Sequence, residues 1–137
     1  MSTDLVKAHR AQVLQFQEVV AQMPQETNRP LDHFFAHRVY VRRLCTPMGT
    51  VSIGKIHRFS QVNALLAGKV SIKTPQGVII RCAPDIWVSP AGTKNVSFFH
   101  EDTIWISAHG TDETDMDKLE EEQICSTFDE FDKMEVT

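Results

Sequence analysis

The chain reads as an all-β barrel or sandwich with one helix at each end. Three observations lead there. From Phe34 onward apolar and polar residues alternate with a period of two, in short runs cut by Gly and Pro, the pattern of half-buried strands joined by turns. Before that, Val6, Val13, Phe16, Val20 and Met23 recur at spacings of three, four and seven, one apolar stripe along a helix. Near the end, Met116, Leu119 and Ile124 restore helical spacing.

The elements follow in order. The first helix is predicted over residues 4–23, stopped by Pro24, which cannot donate to a continuing helix. Residues 25–30 form a polar linker. Strands are predicted over 39–44, 51–57, 61–67, 70–73, 78–81, 86–88, 95–99 and 103–109, with Pro47, Gly49, Gly68 and Gln76-Gly77 marking turns. Short strands at such regular spacing suit a sandwich or barrel. A second helix is predicted over 113–124. Beyond it Phe128, Phe131 and Met134 recur every three residues and are expected to dock on the barrel or on a partner, or to fray. The chain divides into a helix and linker (1–30), a barrel (31–111) and an acidic helical segment (112–137), without internal repeats.

Its 137 residues fit one domain with its own core. No apolar run approaches the roughly 18 residues that span a bilayer, so no membrane partner is expected. No basic segment followed by an apolar stretch opens the chain, so no signal peptide is expected. Cys45, Cys82 and Cys125 lie far apart and form no C-x-x-C pair; a disulfide framework is not indicated, and a reducing cytoplasm is the expected setting.

The net charge of −4 is unevenly divided. Residues 112–137 hold eleven acids against two cations, a charge of −9, while residues 1–111 hold twelve cations against seven acids, a charge of +5. A positive body suits an anionic ligand; an acidic, solvated tail that favours solubility is the competing explanation. No basic patch lies on one helix, so nucleic acid is not an expected partner.

Two spacings carry a resemblance. Gly49 is followed after five residues by Lys55, then by His57 two further on, Gln61 four after that, and Gly68. Later, Pro84 precedes Pro90-Ala91-Gly92, with Asn95 three residues on and Phe99 four beyond that. These spacings resemble the two motifs of the cupin superfamily, in which the first carries a Gly, two His, a Glu and a Gly, and the second a Gly, Pro-x-Gly, a His and an Asn. The resemblance covers roughly residues 34–110 and implies a single cupin, jelly-roll-type barrel, commonly paired as a homodimer. The segments His33-Phe34-Phe35, Gly54-Lys55-Ile56-His57, His100 to Trp105 and His109 to Asp115 are similar to small cupin-like proteins of tailed bacteriophages. That narrower resemblance implies a phage or prophage origin and the cytoplasm of an infected bacterial host.

The ligand positions depart from the superfamily pattern. Only His57 is retained; Lys55, Gln61 and Asn95 replace a His, a Glu and a His. A protonated Lys repels a cation, and neutral amide oxygens are weak transition-metal ligands. No metal is therefore expected at the usual position, and no cofactor, although His57, His33 and His109, with His100, remain candidates for a displaced divalent site.

Alternation places Lys55 with His57, Gln61 with Asn63, and Asn95 with Ser97 on interior faces. Trp105 faces the interior if Thr103, Ser107 and His109 do; otherwise it packs elsewhere. Tyr40 and Arg42 share a face and would add a hydroxyl and a guanidinium. Such an interior suits a small anionic, hydrogen-bonding ligand, concretely a nucleotide-like one, captured without chemistry; with a phage origin, a host defence signal is the expected example. One alternative is an enzyme: a hydrolase or phosphodiesterase in which His57 moves protons and Lys55 stabilises negative charge, or a metal-dependent enzyme of the kind the resemblance implies, using the displaced histidine site. Another is a virion or assembly component.

Overall fold

A computed structural model describes residues 3–134; Met1, Ser2, Glu135, Val136 and Thr137 lie outside the described residues. Helix α1 (Thr3–Ala21) leads into the strands β1 (Leu31–Ala36), β2 (Val39–Thr46), β3 (Val51–Ile53), β4 (Ile56–His57), β5 (Gln61–Ala67), β6 (Lys69–Thr74), β7 (Gly77–Cys82), β8 (Asp85–Ser89), β9 (Val96–Phe99) and β10 (Thr103–Gly110). Helix α2 (Met116–Gln123), strand β11 (Ile124–Cys125) and helix α3 (Phe128–Asp132) complete the order. The fold is all-β with a helix at the N-terminus and helices near the C-terminus, as the periodicity predicts.

Two antiparallel sheets face each other. One has the order β1-β2-β10-β5-β8, the other β3-β9-β6-β7, and β11 pairs with β4 as a short ribbon. Inward residues of both sheets meet in an apolar cluster of Leu65, Val70, Ile72 and Phe99, with Trp87 and Trp105 packed against it. Burial of these side chains supplies the main drive to close the sheets.

Four elements differ from the periodicity. The strand predicted over 51–57 breaks at Gly54-Lys55. Gly54 N–H donates to the Asn95 carbonyl (2.8 Å) and His57 N–H to the Thr93 carbonyl (3.0 Å), leaving one extra residue between them. An extra residue reverses the alternation that follows it. A strand also precedes residue 39: β1 pairs with β2 from Leu31↔Leu44 to Ala36↔Val39 across a turn in which Arg38 takes φ +58°. In α1 only part of the stripe is covered. Val13 is fully buried, whereas Phe16 is exposed, because β3 is the strand this helix chiefly meets; the helix ends at Ala21, so Met23 lies beyond it, also exposed. Lastly, the helix predicted over 113–124 ends at Gln123, and Ile124 and Cys125 turn into β11 against His57 and Ile56. Asp115 caps α2 by accepting from the Asp117 and Lys118 N–H groups.

Three motif glycines, Gly49 (φ +87°), Gly68 (φ +96°) and Gly92 (φ +86°), lie in the left-handed region that side chains resist, and the last two are also crowded. A Cβ on Gly68 would sit 2.7 Å from the Asp102 carbonyl oxygen and press on Thr103; one on Gly92 would sit 2.7 Å from the Phe131 ring. Gly49 (φ +87°) has open space around it. Gly68→Ala should therefore cost about 3 kcal/mol in urea denaturation, against about 1 kcal/mol for Gly49→Ala, which carries backbone strain alone.

Candidate functional site

The barrel interior holds a cavity of about 80 Å³. Its polar lining is Arg29, Arg42, His57, Gln61, Asn63 and Asn95, with Ser52, Ser97 and Ser107 between them and Trp105 and Phe99 on one wall. β5 contributes Gln61 and Asn63, as the alternation predicts, β2 contributes Arg42, and β10 contributes Trp105 and Ser107, which settles the open alternative for Trp105 in favour of the interior.

Asn63 organises the wall. It is fully buried. Its Nδ2 donates to Ser89 Oγ at 2.8 Å, and its Oδ1 accepts from Trp105 Nε1 and from Ser107 Oγ, both at 3.0 Å. Trp105 both lines the cavity and packs, edge-on to Trp87 with ring centroids 5.3 Å apart.

Two guanidiniums face the cavity. Arg29 Nε donates to Thr46 Oγ1 at 3.2 Å, and burial, then the neighbouring Arg42 charge, lowers its pKa. Neither Arg29 nor Arg42 has a carboxylate partner among the described residues. Gln61 is 6% exposed, and its Oε1 is buried without a hydrogen-bond partner. Sequence reasoning missed Arg29, which lies in the linker before β1 and outside any strand pattern; its position beside Pro30 carries no signal for an inward turn.

Two expected residues are elsewhere. Lys55 falls on the residue beside the strand break, so it points outward and pairs with Glu120 on α2; the alternation that would have joined it to His57 is interrupted there. The inward positions are instead Ser52 and Gly54, followed by His57. Tyr40 is buried but does not line the cavity; its hydroxyl meets His33 Nδ1 at 2.6 Å, and burial raises its pKa.

Tyr40 belongs to a ladder of stacked rings. His33, Tyr40, His109 and His57 follow one another with centroids 5.7, 5.6 and 6.0 Å apart and planes within 25°. The ladder brings His57 and His109 together, and reaches His33 only through Tyr40. His100 is remote from it, on Ser71 (2.6 Å). Burial lowers the His57 pKa, with the Thr93 backbone opposing and Arg42 adding to it. Burial, His57 and Arg42 together push His109 down to about 4.

These residues do not fit a divalent metal. Among the described residues no three of His, Cys, Asp or Glu converge. The cavity offers one imidazole and neutral amides beside two guanidiniums, whose charges oppose a cation.

No family model and no curated protein matches the chain. Among solved structures it is similar to KdgF from a Halomonas species, with a TM-score of 0.55 and 17% identity over 69% of this chain and 90% of that one. An RmlC-like cupin from Shewanella frigidimarina gives a TM-score of 0.53 at 14% identity, covering 68% of this chain and 85% of that one. Oxalate decarboxylase from Lactobacillus farciminis gives 0.57 at 13% identity, over 77% of this chain and 33% of the larger enzyme. The fold is the cupin, or double-stranded β-helix, barrel.

Two outcomes follow from this geometry. Asn63→Ala strands the Trp105, Ser107 and Ser89 hydrogen-bonding groups and should cost about 3 kcal/mol or more in denaturant unfolding. For His109, the folded pKa near 4 lies below the ordinary 6.5. Its contribution is thus complete above pH 6.5 and is lost as pH falls toward 4, about 3 kcal/mol in all. Unfolding measured between pH 7 and 4 should show that slope, and His109→Phe, which keeps a ring in the ladder, should flatten it.

Proposed function

We propose that the barrel cavity captures a small anion without a metal, gripping a phosphate or carboxylate group between Arg29 and Arg42. The observation that carries this reading is the pair of guanidiniums turned into a cavity that supplies them no carboxylate. Planar guanidinium forks match such groups. The unpartnered Gln61 Oε1 adds a requirement: the ligand also brings an O–H or N–H donor.

Size limits the ligand. Sites for drug-sized molecules span about 300–1,000 Å³, so 80 Å³ admits a phosphate group or a two- or three-carbon acid. A nucleotide would seat its phosphate here and leave its nucleoside outside. Capture of a host-made signal of that kind, in a bacterial cytoplasm, is the biological role that the resemblance to phage-encoded cupin-like proteins supports. Hydrolysis of the bound ligand is the second reading, because His57 shares the cavity with Arg42; Arg42 would take the place of the outward Lys55.

The partner we propose is a second copy. The outer face of the five-stranded sheet carries an unbroken apolar row, Phe34, Val41, Ala108, Val62 and Val88, aligned across all five strands. Phe34, Val62 and Val88 are exposed at 47%, 41% and 64%, a patch of the kind that marks an interface. Val88→Lys should shift light-scattering mass from dimer to monomer; a wild-type monomer at all concentrations refutes the dimer.

Thermal unfolding tests the ligand. Inorganic phosphate at 100 times its Kd should stabilise the protein by about 2.7 kcal/mol, and Arg42→Gln should weaken binding at least tenfold. If phosphate, nucleotides and short carboxylates all leave the transition unmoved, the anion reading fails. Stabilisation by zinc or manganese would refute its metal-free form. Turnover of a bound nucleotide, lost in His57→Ala, would make hydrolysis the better reading.

A further inference from the structure

A second cavity, of about 340 Å³, lies where the two sheets end. β8 is the last strand of one sheet and β7 the last of the other. Ile79 and Arg81 on β7 and Trp87 on β8 wall the space between them; α1 covers it with Val6 and His9, and Phe128 of α3 closes one side. It is about four times the size of the barrel cavity and shares with it only Asn95. Its volume lies in the range of small-molecule sites.

The walls are chiefly apolar, but the charged groups on them are all basic: Arg10, Lys73, Arg81 and Lys94, with His9 beside them. Two of these are already satisfied. Arg10 pairs with Asp132 at 2.7 Å and lies over Phe128, and Arg81 pairs with Asp85 at 2.9 Å and lies over Trp87. Lys73 and Lys94 have no carboxylate partner among the described residues. Lys94 is only 9% exposed, and its Nζ donates to the Gly54 carbonyl at 2.8 Å. An ammonium at that depth ordinarily has an acid beside it. His9, also 9% exposed, has its Nδ1 buried without a hydrogen-bond partner.

These features select a ligand class. A bare hydrocarbon would leave Lys94 and His9 uncompensated. A bare phosphate would lose its water against apolar walls. The geometry points to a second binding site here, for an apolar molecule that bears a single anionic head such as a carboxylate. The head meets Lys94, Lys73 and His9, and the body lies along Ile79, Trp87 and Phe128. The inference is independent of the barrel cavity and of what that cavity binds.

Octanoate is the probe, titrated calorimetrically into the full-length protein, with 1-octanol as its neutral counterpart. Saturable one-site binding of octanoate is expected, with octanol at least tenfold weaker. Lys73→Gln should weaken octanoate binding several-fold, and Ile79→Trp, which fills the cavity from its rim, should abolish it. Lys94→Gln removes the bond to Gly54 and can disturb the loop, so Lys73→Gln and Ile79→Trp are the deciding variants, each checked for folding by circular dichroism. No saturable heat, equal binding of octanol, or indifference to both variants would overturn the site. So would a loss confined to Arg42→Gln, which would move the octanoate into the barrel; phosphate binding there stands or falls by its own titration.

Discussion

Asn63 sits on β5, between β10 and the edge strand β8, with no exposed surface and three hydrogen bonds, to Ser89 on β8 and from Trp105 and Ser107 on β10. A buried amide is costly unless it is satisfied, and strongly specifying once it is. This one ties three neighbouring strands together from the inside and holds the Trp105 indole edge-on to Trp87. Trp105 packs against the apolar cluster of Leu65, Val70, Ile72 and Phe99, and together with Phe99 it walls the polar cavity that Arg42, His57, Gln61 and Asn95 line. The barrel can keep unpaired guanidiniums because the apolar cluster and this amide already hold the sheets.

The distribution of charge follows the same division of labour. Four ion pairs fasten the acidic C-terminal segment to the basic body: Arg10–Asp132, Arg38–Asp112, Lys55–Glu120 and Arg58–Glu130. Being exposed, each adds little alone, yet together with β11 and Phe131 against Gly92 they give the segment a defined seat. The tail is thus neither simply solvated nor simply a counterweight. Of the cations without a carboxylate partner among the described residues, Arg29 and Arg42 line one cavity and Lys73 and Lys94 the other.

Much of the barrel was legible because alternation is local physics: a strand with one wet and one dry face must repeat every two residues. That is why residue type alone puts Gln61 with Asn63 and Asn95 with Ser97 on interior faces, whereas for Thr103, Trp105, Ser107 and His109 it shows only that they share a face. The same rule misplaces Lys55, since one extra residue at Gly54-Lys55 reverses it, and the cause of that break is the pairing of Gly54 and His57 with the distant Asn95 and Thr93. Arg29 was invisible for a related reason: a linker has no period from which a direction can be read.

By itself, the sequence determined the number and order of most strands, the helix at the N-terminus and the turn at Gly68. Those properties depend on neighbours within a few residues or on side-chain chemistry. Only the tertiary structure decided which cations remain unpaired, that Tyr40 lies behind His109 instead of in the cavity, and that a second, larger cavity opens between the end strands β7 and β8. Each of these depends on groups far apart in the chain being brought together, and no local pattern records a long-range distance.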